Sequence, residues 1–296
     1  MTTAPAVLDH IVSGVNEEGL QAHGVHVLIG QDSAHHRWHS DGRRNIFSAS
    51  KGVCAIAVGM AIGDGVLSLE TTAHEALPQM DLGVGVEAVT LRHLLTMSSG
   101  IDFPWFGHEG VPWPDLAQEM LRRPAIGTGA RFQYSDASTY LAMRILGAAI
   151  GDVTDWLLPR LFEPLGIGEP QWQRCPLGWI IGGSGLELRT EELARIGQLL
   201  RDRGRWDSEQ LVDSAWIEQM HGSWVSTGAE PRFARYGFGV WDGPGNCWRL
   251  DGAYGQYVIV DERRDAVVTI TAHEEHRDQR LAELAYEGLN EAINLK

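Results

Sequence analysis

Ile46-Phe47-Ser48-Ala49-Ser50-Lys51-Gly52-Val53 opens the longest apolar run of the chain, which extends to Gly65. A serine and a lysine three residues apart, Ser48 and Lys51, lie on the same face of a segment that is helical. The stretch from Ala49 to Ile62 is apolar on all sides, which predicts a helix buried in the centre of a domain. Gly63-Asp64-Gly65 predicts the end of that helix.

The spacing of Ser48 and Lys51 favours a nucleophilic serine. An ammonium within reach of a hydroxyl lowers the cost of deprotonation, and the free N–H groups of a first helical turn stabilise negative charge that develops there. Alternatively, Ser48 is only a helix N-cap and Lys51 a solvated side chain. Ser50 is a rival nucleophile, but adjacent helical residues point about 100° apart, so it is poorly directed toward Lys51.

Composition and charge exclude several classes of partner. The 296 residues include 39 acidic and 24 basic side chains, and the formal net charge of −15 argues against binding nucleic acid or anionic lipid. No segment reaches the 18 apolar residues that would predict a membrane span. The N-terminus lacks the basic start and the long apolar run of a secretion signal. Three widely separated cysteines, Cys54, Cys175 and Cys247, indicate reduced thiols in a cytoplasmic protein.

Predicted strands cluster at the two ends of the chain, with helices between them. The strands are Val25–Ile29, Gly237–Trp241, Cys247–Leu250, Gln256–Val260 and Ala266–Thr271. This order predicts a discontinuous α/β domain formed by residues 1–64 and 171–296, with an inserted helical domain over residues 65–170. We expect the active site in the cleft between these two domains.

No motif in the sequence predicts a metal or cofactor. The histidines near the first strand favour a solvated hairpin because no cysteine or carboxylate stands at ligand spacing; they are His23, His26, His35, His36 and His39. His273-Glu-Glu-His276 is one residue shorter than the zinc-protease motif. Gly182-Gly-Ser184-Gly-Leu186 lacks the final glycine of a nucleophile elbow, and no glycine loop has the spacing that holds phosphate.

Further motifs follow Ser48-x-x-Lys51 along the chain. They are Leu91-Arg-His-Leu-Leu-Thr-Met-Ser-Ser-Gly100, Phe132-x-Tyr134-Ser135-Asp136, the block from Ser184-Gly185-Leu186 to Leu199-Leu200, and Gly252-Ala-Tyr-Gly255-Gln256. In order and spacing, about residues 20 to 275 resemble the class C β-lactamase and penicillin-binding-protein-like serine hydrolases. The resemblance implies the mixed α/β (α+β) β-lactamase/transpeptidase-like fold, in which helices flank an antiparallel sheet and an all-helical domain is inserted.

The resemblance also implies roles for individual residues. Ser48 matches the acylated nucleophile, Lys51 its proton partner, and Tyr134 the tyrosine of the Tyr-x-Asn motif that relays protons. The implied oxyanion hole consists of the N–H groups of Ser48 and of Ala253, which follows Gly252. The chemistry is consistent with these roles because a serine needs a neighbouring base, and a cation such as Lys51 lowers the pKa of a phenol. The base that takes the serine proton is then either Tyr134 or a neutral Lys51.

Two departures from the family pattern bear on this assignment. Asp136 replaces the usual Asn; it either pairs with Lys51, which favours Tyr134 as the base, or is the N-cap of a helix over residues 137–150. Leu250-Asp251-Gly252 stands where the family has a cationic Lys-Thr-Gly or His-x-Gly, so Asp251 is expected to repel a substrate carboxylate. The Gly-x-x-Gly-Gln ending resembles the branch that contains 6-aminohexanoate-dimer hydrolase and related esterases.

Aromatic residues of the loops have two interpretations. Tyr254, Trp105, Phe106 and Trp113 either line an apolar acyl-binding cleft or pack on the inter-domain surface. The sequence as a whole predicts a cofactor-free cytoplasmic serine hydrolase whose partner is a small-molecule ester or amide. The alternatives are a β-lactamase or D,D-peptidase, an acyl-transferase, and a catalytically inactive ligand-binding protein of the same fold.

Overall fold

The computed structural model describes residues 3–291. Its strands are β1 (Ala22–Ile29), β2 (Asp32–Arg37), β3 (Arg44–Asn45), β4 (Glu187–Leu188), β5 (Arg205–Trp206), β6 (Glu209–Gln210), β7 (Val225–Ser226), β8 (Arg235–Tyr236), β9 (Trp241–Asp242), β10 (Cys247–Gly252), β11 (Gln256–Asp261) and β12 (Ala266–Ala272). Its helices are α1 (Ala4–Glu18), α2 (Ser50–Gly63), α3 (Ala73–Ala76), α4 (Leu91–Leu95), α5 (Leu116–Leu121), α6 (Asp136–Ile150), α7 (Val153–Leu157), α8 (Thr190–Arg201), α9 (Ser214–Met220) and α10 (Asp278–Glu291).

The main sheet joins strands from both ends of the chain. Within the described residues it has eight strands in the order β2-β1-β12-β11-β10-β9-β8-β7, and every pairing is antiparallel. β1 pairs directly with β12, with Val27 opposite Val268. The expected mixed α/β fold of the β-lactamase/transpeptidase type, with helices around an antiparallel sheet, is confirmed.

Helices cover both faces of the sheet, which explains why its central strands are apolar on both sides. One face packs against α1 and α10 through residues such as Val27 and Ile259. The opposite face packs against α8 and α2 through residues such as Val258 and Val267. Two-sided burial removes the alternation of polar and apolar residues that marks a half-exposed strand.

The central helix α2 lies between the sheet and the helical part of the chain. Its residues from Ser50 to Ala61 are all buried, as the apolar stretch predicts. A Cβ at Gly52 would lie 2.2 Å from Leu250 of β10, so the helix contacts the sheet at van der Waals distance only because this position lacks a side chain. This contact places the start of α2 next to the end of β10.

The predicted strand Gly237–Trp241 is wrong in its extent. The chain forms β8 and β9 instead, joined by a tight turn over residues 237–240. Gly239 adopts φ +71°, and a Cβ there would lie 2.5 Å from the carbonyl oxygen of Lys51. The turn therefore requires glycine for two reasons, its left-handed backbone and its contact with the backbone of α2.

The helices α3 to α7 lie within residues 65–170, the region predicted to be inserted. The division at residues 64 and 170 stays a prediction, and residues 1–2 and 292–296 of the predicted discontinuous domain lie outside the described part of the chain. Over residues 3–291, no helix is long and apolar enough to cross a membrane.

Candidate active site

The serine of the Ser-x-x-Lys motif lies in a constrained turn at the start of α2. Phe47, Ser48 and Ala49 form one turn of 3-10 helix, and Phe47 adopts φ +47°, a conformation rare for a side chain of this size. The Phe47 N–H donates to Asn45 Oδ1 at 2.8 Å, and the Gly185 N–H donates to the same oxygen at 3.0 Å. Asn45 thus ties the turn that carries Ser48 to a loop 140 residues further along the chain.

The ammonium of Lys51 lies directly beside Ser48 and has a complete set of partners. Its Nζ donates to Ser48 Oγ at 2.8 Å, to the carbonyl oxygen of Gly183 at 2.8 Å, and to the carboxylate of Asp136. It also lies 4.7 Å from the centroid of the Tyr134 ring. Only 1% of the lysine side chain is exposed, so this is a buried cation held in one position.

Asp136 is the buried counter-ion of Lys51. One carboxylate oxygen accepts from Lys51, and Oδ2 accepts from the Gly107 N–H at 2.8 Å. The interpretation of Asp136 as an N-cap is wrong: the N-cap of α6 is Ser135, whose Oγ accepts from the Ala137 N–H at 3.1 Å. Asp136 occupies the first turn of the helix, where the free N–H groups also favour a carboxylate.

A cavity of about 500 Å³ opens in front of Ser48. Most of its wall is apolar and aromatic, and polar groups are placed at a few points. The lining residues are Asn45, Phe47, Ser48, Phe106, His108, Tyr134, Asp136, Gln173, Ser184, Ala229, Phe233, Trp241, Asp251 and Ala253. A cavity of this size and character is typical of a small-molecule site.

The chain was compared with known protein families and solved structures. The family profile described as Beta-lactamase matches residues 12–292. The chain belongs to the Beta-lactamase family. Among curated protein sequences, none matches the chain significantly.

Several solved structures share the fold of this Beta-lactamase-family chain. A protein assigned as a 6-aminohexanoate-dimer hydrolase from Bacillus anthracis has TM-score 0.77 and 16% identity, with 95% of this chain and 81% of that chain covered. The octameric penicillin-binding protein homologue from Pyrococcus abyssi has TM-score 0.74 and 18% identity, covering 97% and 77%. A family VIII carboxylesterase has TM-score 0.75 and 15% identity, covering 96% and 97%. At these identities the likeness shows the fold.

The protonation states of this Beta-lactamase-family site follow from burial and charge together. Burial opposes the ammonium of Lys51, but the Asp136 carboxylate and Tyr134 outweigh it, and the pKa of Lys51 is raised. Burial of the phenol group raises the pKa of Tyr134, although Lys51 and the neighbouring Ser48 hydroxyl both lower it. Lys51 lowers the pKa of Tyr134, as the sequence predicts, but the increase in pKa caused by burial is larger. At neutral pH the site holds a lysine cation and a neutral phenol.

Tyr134 stands in an aromatic group that positions its ring over Lys51. Its ring centroid lies 5.3 Å from that of Trp241 and 5.6 Å from that of Tyr236. Phe106, on the loop before α5, is 6.3 Å away on the cavity side. The β8–β9 hairpin and the loop that carries Phe106 therefore fix the orientation of the phenol.

The end of β10 forms the opposite side of the site. A Cβ at Gly252 would lie 2.3 Å from the carbonyl oxygen of Ile46 and 3.1 Å from the amide nitrogen of Ala49, so only glycine allows this close approach to the nucleophile turn. Ala253 follows and lines the cavity together with Ser48. The two residues expected to supply oxyanion N–H groups thus border the same cavity.

The remaining aromatic candidates do not line the cavity. Trp105 is 3% exposed and donates its Nε1–H to the carbonyl oxygen of Gly110 at 2.9 Å, so it packs inside its own loop. Trp113 packs on Phe103 with ring centroids 5.2 Å apart. Tyr254, at φ +63° and 37% exposed, covers Phe47 from outside with ring centroids 5.0 Å apart. Of this group, Phe106 faces the cavity.

The sequence reasoning missed Asn45, Gln173, Phe233 and Trp241 as cavity residues. Asn45 had a usable signal because it lies three residues before Ser48, where an amide readily caps a turn. The other three carry no motif, and they reach the site only through tertiary packing.

The histidines near β1 form stacked and edge-on pairs, such as His26 with His35 at 6.2 Å. Over residues 3–291, no group of three or more His, Cys, Asp or Glu side chains is arranged to hold a metal ion.

Proposed function

We propose that this protein is a serine hydrolase that cleaves a small ester or amide through an acyl-enzyme on Ser48. The observation that carries the proposal is the 2.8 Å contact of Ser48 Oγ with the buried Lys51 ammonium, at the wall of an apolar cavity of about 500 Å³. A serine is a weak nucleophile unless a base and a positive field stand beside it. This arrangement supplies the field, and Tyr134 is the neighbouring candidate base.

In the proposed reaction, Ser48 Oγ attacks the substrate carbonyl carbon while its proton passes to the ionised form of Tyr134. The Lys51 ammonium stabilises that phenolate, and Asp136 keeps Lys51 protonated. The N–H groups of Ser48 and Ala253 bind the oxyanion. The carbon–oxygen or carbon–nitrogen bond then breaks, and the leaving alcohol or amine takes the proton back from Tyr134. Water releases the acyl group along the same relay.

The neutral state of Tyr134 has a consequence for the rate. Because burial raises the pKa of the phenol, only a small fraction is ionised at neutral pH. We therefore expect kcat/KM to rise with pH across the range in which the protein stays folded, about tenfold per pH unit while one group titrates.

Two solved structures of the same fold carry names in the proposed class. One is assigned as a 6-aminohexanoate-dimer hydrolase, and the other is a family VIII carboxylesterase. The segment Leu250-Asp251-Gly252 at the end of β10 has an acidic residue and no cation. This charge supports ester or amide hydrolysis over attack on a carboxylated β-lactam.

The test is intact-protein mass spectrometry after exposure to a fluorophosphonate, 4-nitrophenyl butyrate and a penicillin. We expect fluorophosphonate or butyryl adducts that map to Ser48 and are absent from Ser48→Ala. Ser50→Ala is the matched control, because Ser50 is adjacent to the same lysine but is fully buried. It should be labelled as the wild type is.

Other outcomes assign the protein differently. A lasting penicillin adduct at Ser48 would favour a β-lactamase or D,D-peptidase. Full turnover by Ser48→Ala on every substrate that the wild type cleaves would contradict the proposal. Absence of any adduct would indicate a ligand-binding protein that keeps the fold without the chemistry.

A further inference from the structure

Asp251 is an acidic residue of the cavity that the proposed reaction does not use. It lies near the end of β10, its side chain is 12% exposed, and it lines the cavity opposite Ser48. Asp251 Oδ2 accepts from Arg249 Nε at 2.8 Å, and Arg232 Nη2 lies 3.9 Å from the same oxygen. One carboxylate therefore faces two guanidinium groups.

Neither of these two arginines lines the cavity in front of Ser48. Arg249 is 1% exposed and also donates to the carbonyl oxygen of Asp242 at 2.6 Å. Arg232 donates to Tyr257 Oη at 2.7 Å. Both arginines line a separate cavity of about 320 Å³. Asp251 thus stands between a pair of cations and the cavity that contains Ser48.

We propose that Asp251 determines the charge class of the substrate by shielding the cavity from Arg249 and Arg232, so that the site accepts uncharged acyl groups and rejects anionic ones. This inference rests on the proposed acyl-enzyme function. Of the acidic residues that line the cavity, Asp136 is paired with Lys51, whereas Asp251 is paired with Arg249 and its side chain stays 12% exposed. In a cavity with mostly apolar walls, a like charge next to Asp251 is poorly screened.

The same geometry predicts what happens when the negative charge is removed. Asp251→Asn keeps the shape of the side chain but leaves Arg249 and Arg232 uncompensated. Asp278, at the start of α10, is another acidic side chain, and its negative charge raises the pKa of Asp251. An anionic acyl group would then meet a positive field from behind the wall of the cavity. The substitution should convert rejection of a carboxylate into acceptance.

The experiment compares two 4-nitrophenyl esters of phenylacetic acid that differ only in the para substituent, a carboxylate or a carboxamide. In the wild type, we expect kcat/KM to be at least tenfold higher for the carboxamide ester. In Asp251→Asn, this ratio should fall at least tenfold. Asp242→Asn is the matched control because Asp242 pairs with Arg235 on the neighbouring strand without lining the cavity, and its ratio should equal that of the wild type.

A double variant protects the test against misfolding of Asp251→Asn, which leaves a buried arginine without its partner. Asp251→Asn with Arg249→Gln removes both charges of the pair, and we expect it to lose discrimination without preferring the carboxylate. Equal kcat/KM for the two esters in the wild type would overturn the inference while leaving the proposed function intact. Failure of the fluorophosphonate to label Ser48, with neither ester hydrolysed, would instead refute the proposed function.

Discussion

The buried pair of Lys51 and Asp136 makes a quantitative prediction about stability. Asp136→Asn removes the negative charge but keeps an oxygen that can accept from Lys51. Removing one partner of a buried ion pair costs about 3–5 kcal/mol, and two unit charges 4 Å apart attract by about 4 kcal/mol at an effective dielectric constant of 20. Because Lys51 and Asp136 are 1% and 4% exposed and the amide oxygen is retained, we expect a loss of about 3 kcal/mol at pH 7.

The dependence of this loss on pH follows from the raised pKa of Lys51. A lysine whose pKa is higher in the folded state contributes stability that is fully present below its unfolded pKa, about 10.4, and is lost as the pH rises through the folded value. The wild type should therefore lose this contribution in strong alkali. The difference in unfolding free energy between wild type and Asp136→Asn should be constant from about pH 7 to 9 and shrink above about pH 10.4.

The assay is urea unfolding at pH 7 and pH 11, with thermal melting as a second readout. A loss of about 3 kcal/mol should lower the melting temperature by roughly 6–10 °C. Glu70→Gln breaks an ion pair with Arg92 in which both side chains are well exposed, so it should cost less than about 1 kcal/mol. If Asp136→Asn unfolds within 1 kcal/mol of the wild type at pH 7, the pair does not carry the charges assigned to it.

Three further outcomes follow from the site. Tyr134→Phe should reduce kcat/KM for 4-nitrophenyl butyrate by about 10²–10⁴-fold, and an unchanged rate would exclude Tyr134 as the base. Gly252→Ala places a Cβ 2.3 Å from the carbonyl oxygen of Ile46, so labelling of Ser48 by a fluorophosphonate should slow at least tenfold. Labelling at the wild-type rate would show that the turn accommodates the added methyl group without displacing Ser48. Burial raises the pKa of the Cys54 thiol, so iodoacetamide should leave the native protein unmodified there, whereas rapid alkylation would mean that α2 opens.

Local sequence was sufficient for the nucleophile turn and its helix. Ser48 and Lys51 are three residues apart, so their contact at 2.8 Å follows from helical geometry once the segment is helical. The uniform apolar character of residues 53–61 likewise predicts a fully buried helix, as observed for α2. The antiparallel sheet with helices around it was also predictable, from the order of the strand and helix signals and from the family resemblance.

Tertiary structure decided which side chains surround that pair. Asp136 is 85 residues from Lys51, and its two interpretations, N-cap or counter-ion, have the same local sequence signal. The structure separates them because Ser135 takes the capping position and leaves the Asp136 carboxylate directed into the core. Trp105 and Phe106 are neighbours in one aromatic loop, and only the path of that loop places Phe106 in the cavity and Trp105 inside the loop.

For Asp251, near the end of β10, the local sequence likewise predicts part of its environment, and tertiary packing supplies the rest. The segment Leu250-Asp251-Gly252 contains no cation, and from this the sequence predicts that Asp251 repels a carboxylate. The contact of Arg232 with that carboxylate depends on tertiary packing, because Arg232 comes from the loop before β8, whereas Arg249 lies two residues from Asp251 on the same strand. Short-range contacts follow from residue spacing along a helix or strand, whereas the balance of charges in a cavity depends on residues brought together by the packing of distant segments.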